Sequence, residues 1–356
     1  MYKRKCGLYD ETYDQDNALV RTRYRWIMLA LLFVLMFAVF PFFVAGKYML
    51  DVAINIGITV IALIGLQILM GFAGQVSIGH AAFMALGAYT SASLSYHLGW
   101  SFWLTMPCGA LLSGFVGLLV GLPSLRIVGF YISISTLAVH WIIMWCILHG
   151  GEITQGISGL ECNEISLFGL VFDTEFKFYF LIMIFVVIIV FLTNNITRSK
   201  FGRAFYAVRD NDLAAEFIGI SVFHMKLLAF ILSSVYAGMA GAFLAHYQGI
   251  ITVEQFTLHQ SIWYLGMLII GGPTITGAIM GAVFLRLLEQ VVLYMAPMIG
   301  EISPLLAGSA VVSSMQIFFG AVIILFLIYE PRGLFHRWQI ILNTFRLWPF
   351  KRQFGL

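Results

Sequence analysis

The sequence predicts an all-α, polytopic helical membrane protein of about ten transmembrane helices. Three observations predict it. The 356 residues are 61% hydrophobic and 10% charged, whereas soluble domains run at about 45–50% apolar and about 25% charged. The charges are segregated, and the runs between them match the roughly 20 helical residues that a bilayer core of about 30 Å requires. The runs are also continuous rather than alternating, which argues against β-barrel strands.

Read between polar breaks, the predicted spans are 26–44, 48–70, 80–98, 102–122, 127–148, 178–193, 227–247, 257–271, 274–296 and 309–329. The first follows 25 polar residues and is long enough to cross, so it reads as an uncleaved helix rather than a signal peptide. The second ends in the glycine-rich turn 71–81. The third has small residues, Ala81, Ala82, Ala85 and Gly87, that favour close helix packing. The fifth carries Ser133, Ser135 and Thr136, which either satisfy their own helix backbone or line a polar path. The eighth is short and stops at Gly271-Gly272-Pro273, the pattern of a broken helix. The ninth holds Arg286 and Glu289 three residues apart, which suits a structural ion pair on one helix face.

The distribution of positive charge sets orientation. Residues 1–25 carry Lys3, Arg4, Lys5, Arg21, Arg23 and Arg25. The loop after the sixth span carries Arg198, Lys200, Arg203, Arg209 and Lys226. The tail carries Arg332, Arg337, Arg346, Lys351 and Arg352. Ten spans put all three, and Arg126, on the cytoplasmic side. The 149–176 loop, with Glu152, Glu161, Glu164, Asp173 and Glu175 and no Lys or Arg, then falls outside. The predicted organisation is a cytoplasmic arm at 1–25, a permease domain at 26–335 containing the loop 198–226, and a cytoplasmic tail at 336–356.

Net charge is +3, too small to argue for nucleic acid. Cys6, Cys108, Cys146 and Cys162 are scattered, supporting neither a zinc site nor a disulfide framework. The chain has no G-x-x-x-x-G-K-[ST] loop, no H-E-x-x-H and no G-x-S-x-G elbow, so no ATP site or catalytic constellation can be assembled from it. An enzyme is not expected, nor is a metal or cofactor of its own.

Three stretches carry the candidate sites. In 198–226, Asp210 or Asp212 can cap a short helix that ends at Gly219. Leu213, Ala214, Ala215, Glu216 and Phe217 make up that helix, with Ala214 and Ala215 forming a small face for close protein contact. Arg203 and Arg209 flank it and can meet acids on a partner; an amphipathic helix on anionic lipid is the alternative. In 71–80, Gly71, Gly74 and Gly79 permit close approach or unwinding, and Gln75, Ser77 and His80 supply polar contacts. Unwound backbone at membrane depth is tolerated only where it is buried or lines a cavity. With Ser133, Thr136, Gly271, Gly272 and Thr274 these residues are candidates for a translocation path. The turns at 71–81 and 271–282 look alike, a hint of an internal repeat.

These strings together resemble the permease subunits of branched-chain amino acid ABC importers, most closely their M-type permease, over roughly residues 26–335. The resemblance rests on Gly71-x-x-Gly74-Gln75-x-Ser77-x-Gly79-His80-Ala81-Ala82-Phe83, Leu125-Arg126 with Tyr131 and Thr136-Leu137, and Gly156-x-Ser158-Gly159-Leu160. It continues through Gly202-Arg203-Ala204-x-x-Ala207-Val208-Arg209, Ala214-Ala215-Glu216-x-x-Gly219-Ile220 and Pro331-Arg332-Gly333-Leu334. It implies that 210–219 is the helix through which such permeases touch their ATPases. It also implies a second homologous permease subunit, two ABC ATPase subunits carrying ATP and magnesium, and an extracytoplasmic solute-binding protein. The chain departs from the pattern at Leu213, at Gly272-Pro273-Thr274 and at Gln155-Gly156-Ile157-Ser158. Urea permeases share most of these strings, so a urea or amide permease is the alternative. An ion-coupled secondary transporter is disfavoured because the spans hold no network of acids.

Overall fold

The computed structural model describes residues 27, 30–31, 33–44, 46–124, 131–167, 170–172, 174–302, 309–330 and 332–347. The arm at 1–25, Leu125 and Arg126, Asp173, Pro331, Lys351 and Arg352 lie outside the described residues, as does the side chain of Arg346. The chain divides into two units, Met1–Asp51 and Val52–Leu356. In the first, Leu35–Val44 is π-helical and contains Pro41, whose missing N–H breaks the regular α-helical ladder.

The remaining helices are α1 (Lys47–Leu66), which begins in the first unit and continues as a π-helical segment, Gln67–Phe72, then α2 (His80–Leu98), α3 (Phe102–Ser124), α4 (Tyr131–Leu148), α5 (Glu175–Arg198), α6 (Lys200–Asp210) and α7 (Asp212–Phe217). After these come α8 (Val222–Gln248), α9 (Leu258–Gly271), α10 (Ile275–Ile302), α11 (Ser309–Tyr329) and α12 (Leu334–Leu347). Every predicted span coincides at least in part with a helix. Among the described residues five helical stretches are both long and apolar enough to cross a membrane: Lys47–Phe72, Phe102–Ser124, Glu175–Arg198, Val222–Gln248 and Ile275–Tyr294. A bent pair, Ile317–Tyr329 with Leu334–Leu342 at 48°, makes six if it is one span.

Two of the predicted spans, 80–98 and 257–271, fall outside this set for physical reasons. Helix α2 is made of Ala, Gly, Ser and Thr among its apolar residues, and most of its length is buried in protein rather than presented to lipid. Helix α9 has 14 residues, about 21 Å at 1.5 Å per residue, short of a bilayer core.

The core of the second unit is α2 held between α3 and α8. A Cβ at Gly87 would collide with the backbone of Gly238, one at Gly109 with the carbonyl of Gly87, and one at Gly241 with the carbonyl of Met84. Backbones approach this closely because small residues face each other, the packing that drives helix association in lipid. Ser113 Oγ donates to the Phe83 carbonyl at 3.0 Å, and the Phe83 and Phe230 rings meet edge to face at 5.6 Å. Outward-facing Leu111, Phe115 and Leu119 on α3 and Trp141, Ile142 and Trp145 on α4 leave an apolar exterior.

Contacts fix which loops share a side. Strand β1 (Leu160–Glu161) pairs antiparallel with β4 (Ile250–Ile251), so the 149–176 loop and the α8–α9 connection lie together. A second two-residue ribbon, β2 (Ser166–Leu167) with β3 (Leu170–Val171), lies in the same loop. Arg209 reaches Gly71, and a Cβ at Gly272 would meet the Arg332 carbonyl. These pairings are the ones a ten-span path requires.

Candidate functional site

The loop 198–226 folds into two short helices, α6 and α7. Ser199 caps α6, its Oγ accepting from the Phe201 N–H at 3.2 Å. Phe205 and Val208 turn inward. Asn211 then breaks the helix and caps the next, its Oδ1 accepting from the Ala214 N–H at 3.1 Å; the cap lies between the two aspartates that the sequence offered. Helix α7 closes with Gly219 at φ +85°. The Gly219 N–H donates to Glu216 and the Ile220 N–H to Ala215, both at 3.0 Å, the paired bonds of a left-handed C-cap. Asp212 pairs with Lys226 of α8.

The exposed face of α7 is not built from the two alanines. Ala215 is 1% exposed and packs into the chain, whereas Leu213 is 69%, Phe217 91% and Ile218 73% exposed. Ala214, Glu216 and Gly219 are exposed beside them. Three large apolar side chains thus stand exposed on or next to a six-residue helix, an arrangement that marks contact surfaces. Arg203 stays at the surface, its Nη1 donating to the Arg198 carbonyl at 3.2 Å.

Arg209 points the other way. Its Nη1 donates to the Gly71 carbonyl at 2.9 Å, and its Nη2 pairs with Asp210 at 2.9 Å. Its guanidinium lies over the Tyr206 ring at 5.2 Å, and that ring packs on Phe72 at 5.4 Å. Gly74, at φ +70°, lies against Arg209, whose Cγ would be 2.9 Å from an added Cβ. Burial pushes the Tyr206 phenol above its ordinary value, with Arg209 opposing, so the ring stays neutral beside the cation. The loop's most central arginine is therefore bonded to the glycine-rich turn.

That turn is largely buried, with Gly74 exposed, and is non-helical after Phe72. After the π-helical segment, residues 73–79 run back with no regular structure until His80 opens α2. His80 Nε2 bonds the Ala62 carbonyl at 2.9 Å. Ala62 lies ten residues before Phe72, about 15 Å up the helix, so α2 starts well inside the protein. The α4 N-terminus clamps the returning segment. Ser133 Oγ donates to the Val76 carbonyl at 2.9 Å. Thr136 Oγ1 accepts from the Ile78 N–H at 3.1 Å and donates to the Ser133 carbonyl at 2.9 Å. A Cβ at Gly79 would strike the Thr136 carbonyl. Ser133 and Thr136 thus bind the turn, while Ser135 meets Ser124 at 2.6 Å. Gln75 and Ser77 are buried in the turn.

Gly271, Gly272 and Thr274 form a different turn at the far end of α9. Thr274 Oγ1 accepts from the Gly277 N–H at 2.9 Å and starts α10. Helix α9 meets the first turn at its opposite end, where Ser261 Oγ accepts from the Ala81 N–H at 2.9 Å and Tyr264 packs edge-on to His80. Gly271 lies ten residues on, about 15 Å along the axis. The turns also differ locally: one is a seven-residue buried return, the other a tight helical hairpin. On α10, Arg286 Nη1 pairs with Glu289 at 3.0 Å, and Arg286 Nε donates to Thr59 of α1 at 3.1 Å.

Two residues escaped the sequence reading. Ser261 gave no signal. Gln67 gave one: it is a lone amide inside the apolar run Ile61–Met70, and polar groups at membrane depth mark function. Gln67 and Gln75 are 0% and 3% exposed, and none of their four amide N and O atoms has a hydrogen-bond partner. Burying such a group unsatisfied costs about 1–3 kcal/mol. Among the described residues no group of three His, Cys, Asp or Glu is placed to hold a metal ion.

Residues 48–327 match the family described as branched-chain amino acid transport system, permease component. The chain belongs to that permease family. The high-affinity branched-chain amino acid transport system permease protein LivM of Salmonella typhimurium (strain LT2) is 32% identical over 86% of this chain and 74% of its own length. LivM of Escherichia coli (strain K12) is 31% identical over 82% and 71%. The autoinducer 2 import system permease protein LsrC of Enterobacter sp. (strain 638) is 28% identical over 60% of this chain and 62% of its own. No solved structure matches significantly. As the sequence resemblance implied, the chain is an ABC importer permease of this family, a transport component and not a catalytic subunit.

Proposed function

We propose that this chain provides the translocation path for branched-chain or similar small amino acids in an ATP-driven importer. One arrangement carries the reading. An ATPase subunit docks on Leu213, Phe217 and Ile218 of α7, and Arg209, three residues before that helix, hands the movement to Gly71 in the buried turn. Arg203, Asp212, Ala214, Glu216 and Gly219 shape or flank the docking face. Gly71, Gly74, Gln75, Ser77, Gly79 and His80, with Ser133 and Thr136, form the part of the path that moves. Gly271, Gly272 and Thr274 hinge the α9–α10 hairpin beside it.

ATP and magnesium belong to two partner ATPase subunits. A second homologous permease and an extracytoplasmic solute-binding protein complete the assembly. Both termini, with the arm at 1–25 and the tail at 336–356, are cytoplasmic, and 149–176 faces outward. The charge distribution and the shared sides of the loops support this orientation.

The test is co-purification with the products of neighbouring genes and reconstitution in liposomes. ATP hydrolysis and uptake should both rise with leucine-loaded binding protein. Stimulation by urea instead of leucine would reassign the solute. Leucine uptake driven by a proton gradient without ATP would refute the importer reading.

A further inference from the structure

The two buried amides bracket one short stretch of irregular backbone. Gln67 opens the π-helical segment, a local form that recurs at functional sites. Its amide lies flat over Gly71: a Cβ there would meet Gln67 Nε2, Cδ and Oε1 before any other atom. Gly71 therefore leaves room for the amide as well as offering its carbonyl to Arg209. Gln75 lies on the return, its N–H donating to the Leu69 carbonyl at 3.0 Å. Nine residues of chain, 67–75, thus hold two primary amides, each with two donor hydrogens and a two-lone-pair acceptor, buried and without hydrogen-bond partners.

Apolar side chains occupy the neighbouring positions Leu66, Ile68, Leu69 and Phe72, all buried. Apolar residues at 67 and 75 would fill the same space without orphaned polar atoms, so amides here cost stability to no structural end. The stretch 67–80 contains no acidic residue, and the Arg209 cation stands at its Gly71 end. Amide N–H groups bind a carboxylate, while amide carbonyls accept from an ammonium.

We propose that Gln67 and Gln75 form a two-amide site that takes the zwitterionic head of an α-amino acid as it passes the turn. The site is closed in this conformation and opens when residues 73–79 shift. Two side-chain bonds hold that segment, Ser133 to Val76 and Thr136 to Ile78, beside the backbone bonds of Ala73 to Ile68 and Gln75 to Leu69, and Arg209 holds Gly71 just before it. The inference rests on the amino-acid importer reading above and deepens it, since it names the groups that meet the solute.

The experiment uses the full importer in liposomes with Gln67→Met and Gln75→Met, each close in volume to the amide it replaces. Thermal stability, ATPase activity stimulated by leucine-loaded binding protein, and radiolabelled leucine uptake are read together. The expected result is unchanged or raised stability, stimulated ATPase within twofold of wild type, and uptake lowered at least tenfold in each variant. Uptake within twofold of wild type in both variants overturns the site. Loss of stability and uptake in parallel also overturns it, because the amides would then be packing elements. A wild-type complex that takes up no leucine overturns the amino-acid reading itself, a failure visible before any variant is made.

Discussion

Replacing Arg209 with Ala should uncouple ATP hydrolysis from transport, at a cost that can be worked from its contacts. The charge-assisted bond to the Gly71 carbonyl is of a kind worth about 1.5–3 kcal/mol. Stacking on Tyr206 adds about 0.5–1 kcal/mol at a partly exposed site. The ion pair with Asp210 adds little, because the Asp210 side chain is 68% exposed and such pairs give about 0–1 kcal/mol. Arg209→Ala should therefore cost about 2–4 kcal/mol, most of it from Gly71, and Asp210→Asn under about 1 kcal/mol. Denaturation of the purified permease measures both. In liposomes, Arg209→Ala should retain assembly, since α7 keeps its face, but lose uptake per ATP hydrolysed. Arg209→Lys should recover part of it, keeping the charge without the planar fork. Equal effects from Arg209→Ala and Asp210→Asn would refute the reasoning, because the ion pair and not the Gly71 bond would then matter. So would wild-type coupling in Arg209→Ala.

Phe217→Glu should abolish co-purification with the ATPase and leave the permease's own stability within about 0.5 kcal/mol, as expected for an exposed position; normal assembly would remove α7 from the interface. Glu289→Gln should lower stability by about 1–3 kcal/mol. That is below the ~3–5 kcal/mol of a fully buried pair, because the Arg286 and Glu289 side chains keep 19% and 29% exposure. New proton dependence of transport at normal expression would refute a structural role for the pair. Burial pushes the Cys162 thiol up to about 12, so in a variant keeping only that cysteine, maleimide labelling at pH 7.5 should be negligible. Labelling should rise as pH climbs toward the raised value, because only the thiolate reacts. Prompt labelling at pH 7.5 would mean that the β1–β4 ribbon opens readily.

The spans were legible because lipid imposes one demand, a long uncharged helix, and the sequence meets it in blocks. The loop 198–226 was legible because its charges interrupt those blocks. What stayed hidden depends on neighbours. Ala215 and Phe217 both belong to α7, and which one faces out is set by what the rest of the chain presents to a helix of six residues. Asn211 won the cap over Asp210 and Asp212 because Asp210 is held by Arg209 and Asp212 by Lys226. Arg209 read as a surface cation because its partner, Gly71, is 138 residues away. Helix α2 was legible as an element but not as an interior one: alanine and glycine are neutral about lipid, and only its packing against α3 and α8 reveals where it lies.

The turn at 71–79 joins these strands of the argument. A glycine-rich return could serve only to reverse the chain, and a three-residue link suffices for that between α9 and α10. Here the chain spends seven residues reaching back to the level of Ala62 before α2 begins. Backbone that deep must be satisfied by protein, and Ser133, Thr136 and Ser261 supply three of the bonds. Side-chain hydroxyls hold it where a regular helix would have locked it with its own ladder. A segment so held can shift by exchanging a few bonds, with α2 staying anchored through His80 and its glycine contacts. Arg209 grips Gly71, just before that segment, three residues from the start of α7. The molecule thus places its least regular backbone, its orphaned amides and its inward cation within one connected stretch, which is where force from an ATPase and contact with a solute can act on the same atoms.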